Sequence, residues 1–221
     1  SPVRNPYFAT NCVARNKLYA FTNATLVRNS VAKKISGDVF QNARVVVGCT
    51  ADNIDGTVLE HHTDLFQVFG GAENIIYSQI VATNMRSTQS IFLEPTYQSP
   101  SGAPVYTMKD AALVDILVDI EPVFRWSNNG DGMVNWGGAP WSQMLSKFNH
   151  VVFERVELAN QRMMIRTDVS SNQSFEARNV VYRDCGLHPM THQSYVASDS
   201  PPEGVTFSGC YPHPDAAVWE E

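Results

Sequence analysis

At 221 residues, 43% hydrophobic and 17% charged, the chain is long enough for one sizeable core and too apolar for a disordered segment. A net charge of −6 and no Lys/Arg run longer than Lys33-Lys34 argue against a phosphate-backbone binder, so no nucleic-acid partner is expected. No apolar stretch approaches the roughly 18 residues of a membrane span, and no signal-like opening is present; because Ser1 stands first without Met, a processed or excised segment is expected.

Residues 1–22 are polar and broken and read as a lead-in without an amphipathic cap helix, so an upstream segment or a partner chain is expected to cap that end. Beyond them the chain is repetitive. Asp38-Val39-Phe40-Gln41 returns 26 residues later as Asp64-Leu65-Phe66-Gln67. Looser copies follow at Ser90-Ile91-Phe92-Leu93, Pro122-Val123-Phe124-Arg125 and Met163-Met164-Ile165-Arg166, which defines a column Phe40, Phe66, Phe92, Phe124, Ile165. A second phrase, an Asn or small residue before two aliphatics and an aromatic, interleaves at Asn74-Ile75-Ile76-Tyr77, His150-Val151-Val152-Phe153, Asn179-Val180-Val181-Tyr182 and Gly204-Val205-Thr206-Phe207. Its column is read as Val46, Ile76, Val114, Val152, Val181.

Repetition at this spacing marks units that bury their apolar faces only by stacking on neighbours. The apolar runs are short, β-branched and aromatic, bounded by Asn, Gly, Asp or Ser, which is strand rather than helix chemistry. Regular leucines and four-strand units are both missing, which excludes leucine-rich repeats and propeller blades. The expectation is an all-β parallel β-helix, a solenoid of about six coils with a Phe ladder inside and Asn ladders at the bends, in a single domain 1–221: coils over 23–185, then a last coil and capping tail over 186–221.

Extra sequence concentrates after the same strand on two consecutive coils, at 94–110 and 126–148, and so projects as two long loops from one face. These loops carry Tyr97, Tyr106, Trp126, Trp136 and Trp141. Two readings stand: the rings seal the loops against the coil wall, or some line a groove and stack on a sugar ring.

His61-His62-Thr63-Asp64 is the densest titratable cluster. The recurrence of Asp at 38 and 64 suits a carboxylate accepting backbone N–H bonds at a bend. The alternative makes His62 and Asp64 the general acid and base, with Arg125 and Arg166 falling in the column of Gln41 and Gln67. Gln67, Arg125 and Arg166 then form a polar stripe able to hold an acidic polysaccharide and neutralise a uronate, with Asp168 beside Arg166 as substrate contact or ion-pair partner. Asn128-Asn129-Gly130-Asp131-Gly132 has the composition of a calcium loop but lacks the spaced carboxylates and terminal Glu of an EF-hand, so a plain turn and no cofactor are expected, calcium being the sole candidate. His188 and His192 are four apart, but Pro189 argues against a helix that aligns them, and no zinc site is expected with the distant His213.

Cys12, Cys49, Cys185 and Cys210 form no C-x-x-C pair. Cys185 and Cys210 each lie six residues after the start of the second phrase and so share a column on adjacent coils, as stacked thiols or as a disulfide. Asn23-Ala24-Thr25 and Asn172-Gln173-Ser174 are glycosylation sequons compatible with export.

Gly37-Asp38-Val39-Phe40-Gln41, His61-His62-Thr63-Asp64-Leu65-Phe66-Gln67 and Asn74-Ile75-Ile76-Tyr77 resemble the right-handed parallel β-helix proteins of the pectate-lyase-like superfamily, over about residues 22–210. The resemblance implies an extracellular or cell-surface protein that interacts with carbohydrate and, if it is an enzyme, a polysaccharide lyase or hydrolase acting on an acidic glycan. The chain departs from that group's characterised enzymes: it has neither the Asn-Thr-Asp, Asp-Asp and Gly-His-Gly phrases of polygalacturonases nor the Trp-x-Asp-His and Arg-x-x-Pro-x-x-Arg phrases of pectate lyases. The competing reading is a non-catalytic structural or adhesion module of a larger surface assembly.

Overall fold

The computed structural model describes residues 7–56, 63–69, 72–86, 88–94, 107–120, 147–158, 176–187, 189–198, 200–201 and 203–214. They are almost entirely strand, and every strand pairing among them is parallel. In chain order the strands are β1 (Phe8–Thr10), β2 (Val13–Lys17) and β3 (Phe21–Thr22); β4 (Leu26–Arg28), β5 (Val31–Ile35) and β6 (Phe40–Gln41); β7 (Val45–Val47), β8 (Thr50–Asp55) and β9 (Thr63–Phe69). Then come β10 (Ala72–Arg86), β11 (Thr88–Glu94), β12 (Thr107–Ile120), β13 (Lys147–Leu158), β14 (Glu176–Arg183), β15 (Gly186–Leu187), a helix α1 (Pro189–Tyr195), β16 (Val205–Ser208) and β17 (Tyr211–Pro212).

From β1 to β11 the chain visits three columns of strands in cyclic order. One column runs β1-β4-β7-β10-β12-β13-β14-β16. A second joins β2, β5 and β8 to the later half of β10, with β15 and β17 paired at the far end. The third is the four-stranded sheet β3-β6-β9-β11. Successive passes through the first column differ from 18 residues (Ala9 to Val27) to 40 (Leu113 to Phe153), so register is kept while connection length is not. Eight strands occupy that column among the described residues, against the six or so coils expected: β1 lies within residues 1–22, read as a lead-in, and β4 precedes Val46, where the expected column begins.

The corners explain how such short strands turn. Among the described residues nineteen have positive φ, from 48° at Asn29 to 77° at Gly204. They align by register: Asn11, Asn29, Gly48, Gln79, Asp115, Arg155, Asp184, Gly209; then Asn16, Lys34, Asn53, Asn84; then Asn23 with Asn42, followed one residue out of step by Asn74, Asp110, His150, Asn179, Gly204. One left-handed residue redirects the strand, and Asn, Asp and Gly tolerate that conformation best. The Asn ladders at the bends have this origin.

Inside the corners lies the core. Phe21, Phe40 and Phe66 pair in register in the third column, their ring centroids 5.7 and 5.5 Å apart. The expected aromatic column is corrected at both sides of this stack. Phe21 belongs to it, and a register shift places Ile91 rather than Phe92 opposite Phe66. Phe124 and Ile165 lie outside the described residues. In the first column the inward series is Val27, Val46, Tyr77, Leu113, Phe153, Tyr182, Phe207, one residue away from the expected Ile76, Val114, Val152 and Val181. The outward face keeps aliphatics, with Ile76, Val81 and Leu117 exposed, so hydrophobicity alone could not say which of two adjacent aliphatics faces in. Pro189 also opens α1 instead of preventing it: the first helical turn tolerates a residue without an N–H.

Candidate functional site

The repeated phrase builds a buried polar clamp. β6 and β9 pair Phe40 with Phe66 and Gln41 with Gln67, so the two Asp residues that open the phrases face each other across neighbouring strands. The Asp64 N–H donates to Asp38 Oδ1 (3.1 Å), and the Val39 N–H donates to the Asp64 carbonyl (2.9 Å). Gln41 Nε2 donates to both Asp38 Oδ2 and Gln67 Oε1, each at 2.9 Å. Asp38 and Gln67 are 5% exposed and Asp64 is 0% exposed. The backbone-accepting role expected for Asp38 is therefore present, and Asp64 offers no surface to a ligand. Thr63 to Val68 are buried without the alternation a one-sided strand shows, as in parallel strands covered on both faces.

Gln67 stands opposite Gln41 on one side and Phe92 on the other. His62, Tyr97, Arg125, Trp126, Trp136, Trp141, Arg166 and Asp168 lie outside the described residues, as do both long loops after Glu94 and Ile120. Among the described residues no three His, Cys, Asp or Glu converge as a metal site requires, and no helix is long and apolar enough to cross a membrane.

The corner geometry also assembles groups that the phrases did not reveal. Glu157, Gly186 and Tyr211 occupy successive rungs of the second column. Gly186 leaves its rung open: a Cβ there would sit 1.9 Å from Glu157 Oε2 and 2.9 Å from His213 Cδ2. Through that gap the Glu157 carboxylate accepts from the Tyr211 hydroxyl and lies 3.3 Å from His213 Nε2. The hydrogen bond to Glu157 pushes the Tyr211 phenol up to about 12. The cluster was legible only through register, since Gly186 and Tyr211 each follow the paired Cys185 and Cys210 by one residue.

Exposed ion pairs connect other rungs: Lys33 with Asp52 (2.6 Å), Lys109 with Glu73 (3.1 Å), and Arg155 with Asp115 (2.5 Å). Hydrogen bonding from Lys33 lowers the Asp52 pKa and that from Arg155 lowers Asp115. Around them charge is segregated along the stack. Residues 1–50 carry seven Lys/Arg and one Asp/Glu, that one being the buried Asp38, whereas residues 51–221 carry nine and twenty-one. Arg15 and Lys33 are register partners, with Lys17 and Lys34 beside them.

Compared with protein-family models, curated proteins and solved structures, the chain finds no match in any of the three.

Proposed function

We propose that the chain is a right-handed parallel β-helix that works outside the cell as a rigid module binding acidic polysaccharide. The cyclic passage through three parallel columns supports the helix, and the strong preference of parallel crossovers for one hand supports its handedness. The observation that carries the ligand class is the charge segregation: residues 1–50 hold seven Lys/Arg against one Asp/Glu in a chain of net charge −6, with Arg15 and Lys33 on neighbouring strands and Lys34 exposed beside Lys33. Arg15 and Lys33, about 4.8 Å apart on neighbouring rungs, and the exposed Lys34 form a cationic cluster that complements an anionic glycan. The aromatic residues Tyr97, Trp126, Trp136 and Trp141 supply stacking surfaces for sugar rings in this reading, and Arg125 and Arg166 further cations. Asp64 is enclosed in the clamp, which removes it as a general acid or base and favours binding over cleavage by that residue.

One observation favours a second reading, a lyase or hydrolase: Glu157, held between Tyr211 and His213, has the composition of a proton-transfer site. One experiment addresses both. The protein is tested for retention on acidic and neutral polysaccharides, while absorbance of unsaturated uronates and the release of reducing ends are followed. Binding to acidic glycans alone, weakened at least tenfold in an Arg15→Ala, Lys34→Ala variant and with no product formed, is the expected result. Equal binding of neutral glycans contradicts the ligand class. Product formation abolished by Glu157→Gln establishes the second reading.

A further inference from the structure

The eight positions that follow the long column of left-handed corners are Cys12, Ser30, Cys49, Ile80, Ile116, Val156, Cys185 and Cys210. Four of the eight are cysteine, and they are all the cysteines in the chain. Their spacing differs at the two ends. Ser30 separates Cys12 from Cys49, and its hydroxyl accepts the Cys12 N–H at 3.2 Å. Two rungs amount to about 9.6 Å, beyond the span of a disulfide. Cys185 and Cys210 stand on adjacent rungs: Tyr211 donates its N–H to the Cys185 carbonyl (3.0 Å), the Cys185 thiol lies 3.5 Å from the Phe153 carbonyl, and the Cys210 thiol lies 3.6 Å from the carbonyl of Tyr182, the register partner of Phe153. One rung of about 4.8 Å between Cα atoms lies within disulfide range.

We propose that Cys185 and Cys210 form a reversible oxidation site that passes two electrons to a small-molecule disulfide and closes a covalent staple across the last two strand layers. The two sulfurs have separate roles because their environments differ. Cys185 is fully buried, whereas Cys210 is partly exposed. Cys210 is therefore the point of entry. Its thiolate attacks one sulfur of the small disulfide, forming a mixed disulfide and releasing one thiolate. That thiolate takes the proton of Cys185. The Cys185 sulfur then attacks the Cys210 sulfur, the Cys185–Cys210 bond forms, and the second small group leaves as a thiolate that takes from solvent the proton Cys210 had released. Two protein thiols are oxidised and one small disulfide is reduced to two thiols. The hydrogen bond with Cys185 supports this order by holding the Cys210 thiol down at about 7, so that much of it is thiolate at neutral pH. The staple encloses residues 186–209, including α1, and ties β16 and β17 to β14 and β15.

The test is incubation of the native protein with oxidised glutathione, followed by denaturation, alkylation and mass mapping. The expected product has two alkylated cysteines, Cys12 and Cys49, and a single cross-linked peptide joining Cys185 to Cys210. Its melting temperature rises on the order of 10 °C and returns on reduction. Four alkylated cysteines, or any other pairing, overturns the proposal. In Cys185→Ala the reaction stops at a glutathione adduct on Cys210, whereas Cys210→Ala takes up none at the buried Cys185. An adduct on Cys185 in that variant, or none on Cys210 in the first, overturns the assigned order of attack. Both variants are compared in the reduced state by melting, so that a folding defect is read separately from the chemistry.

Discussion

The ring of Tyr77 stacks on that of Phe66, with centroids 4.4 Å apart and planes 12° from parallel. Phe66 is the third of the stacked rings Phe21, Phe40 and Phe66 in one sheet and Tyr77 belongs to the inward series of the other, so this contact joins the two sheets across the core. Replacing Phe66 by Ala removes it and leaves a cavity among fully buried neighbours. The expected cost is about 3–5 kcal/mol, read from the urea midpoint with an unchanged slope. A cost below about 1 kcal/mol means the rings do not lie where this packing requires.

The Tyr77 hydroxyl donates to the Ala43 carbonyl at 2.6 Å, and burial raises its pKa, as it does that of Tyr182. In an unfolded chain both phenols ionise near pH 10, while the folded state keeps them protonated. Their contribution is complete below about pH 10 and is lost as pH rises from there toward the folded-state values. Each tyrosine removes up to about 1.4 kcal/mol per pH unit in that window. Urea midpoints at pH 9, 10 and 11 should fall progressively, and Tyr77→Phe should make the fall shallower. A flat profile would show that these hydroxyls reach solvent.

Asp38→Ala removes the acceptor of the Asp64 N–H and one of the two acceptors of Gln41. A loss of about 1–3 kcal/mol is expected, with faster hydrogen exchange at the Asp64 amide. Unchanged exchange there would mean that the two phrases do not face each other.

Lys34 and Gln79 hold left-handed corners, at φ 55° and 56°, that Asn, Asp or Gly occupy in most other layers. Lys34→Asn and Gln79→Asn should each raise stability by about 1 kcal/mol. Gly204→Ala should do the opposite, since φ is 77° there and the added Cβ would come within 1.8 Å of the Ala177 carbonyl oxygen. Destabilisation by both Asn substitutions would contradict the corner account.

The parallel strands and their corners were legible because Asn before a β-branched run has a local cause, the left-handed turn. Asp38 and Gln41 could be read as repeating for the same reason. What escaped were features set by register alone. Ile91 displaces Phe92 through a shift between neighbouring strands, which no property of either side chain announces. Phe21 has no Asp-Val before it and so did not match the phrase, although it completes the ring stack. Glu157, Tyr211 and His213 meet only because Gly186 leaves a rung open between them. Pairing Cys185 with Cys210 succeeded because both lie at the same distance from a recognised corner.

The most direct test of the parallel in-register stack is a set of distances along one outward column. Val45, Ile76, Ala112, Val152, Val181 and Thr206 are consecutive register partners. Nitroxides introduced at 45 and 181, and at 45 and 206, through a bio-orthogonal amino acid leave the four cysteines untouched. Pulsed electron resonance should give backbone separations of about 19 and 24 Å, four and five strand spacings, with narrow distributions. Equal distances for the two pairs, or a second distance shorter than the first, would contradict the stack.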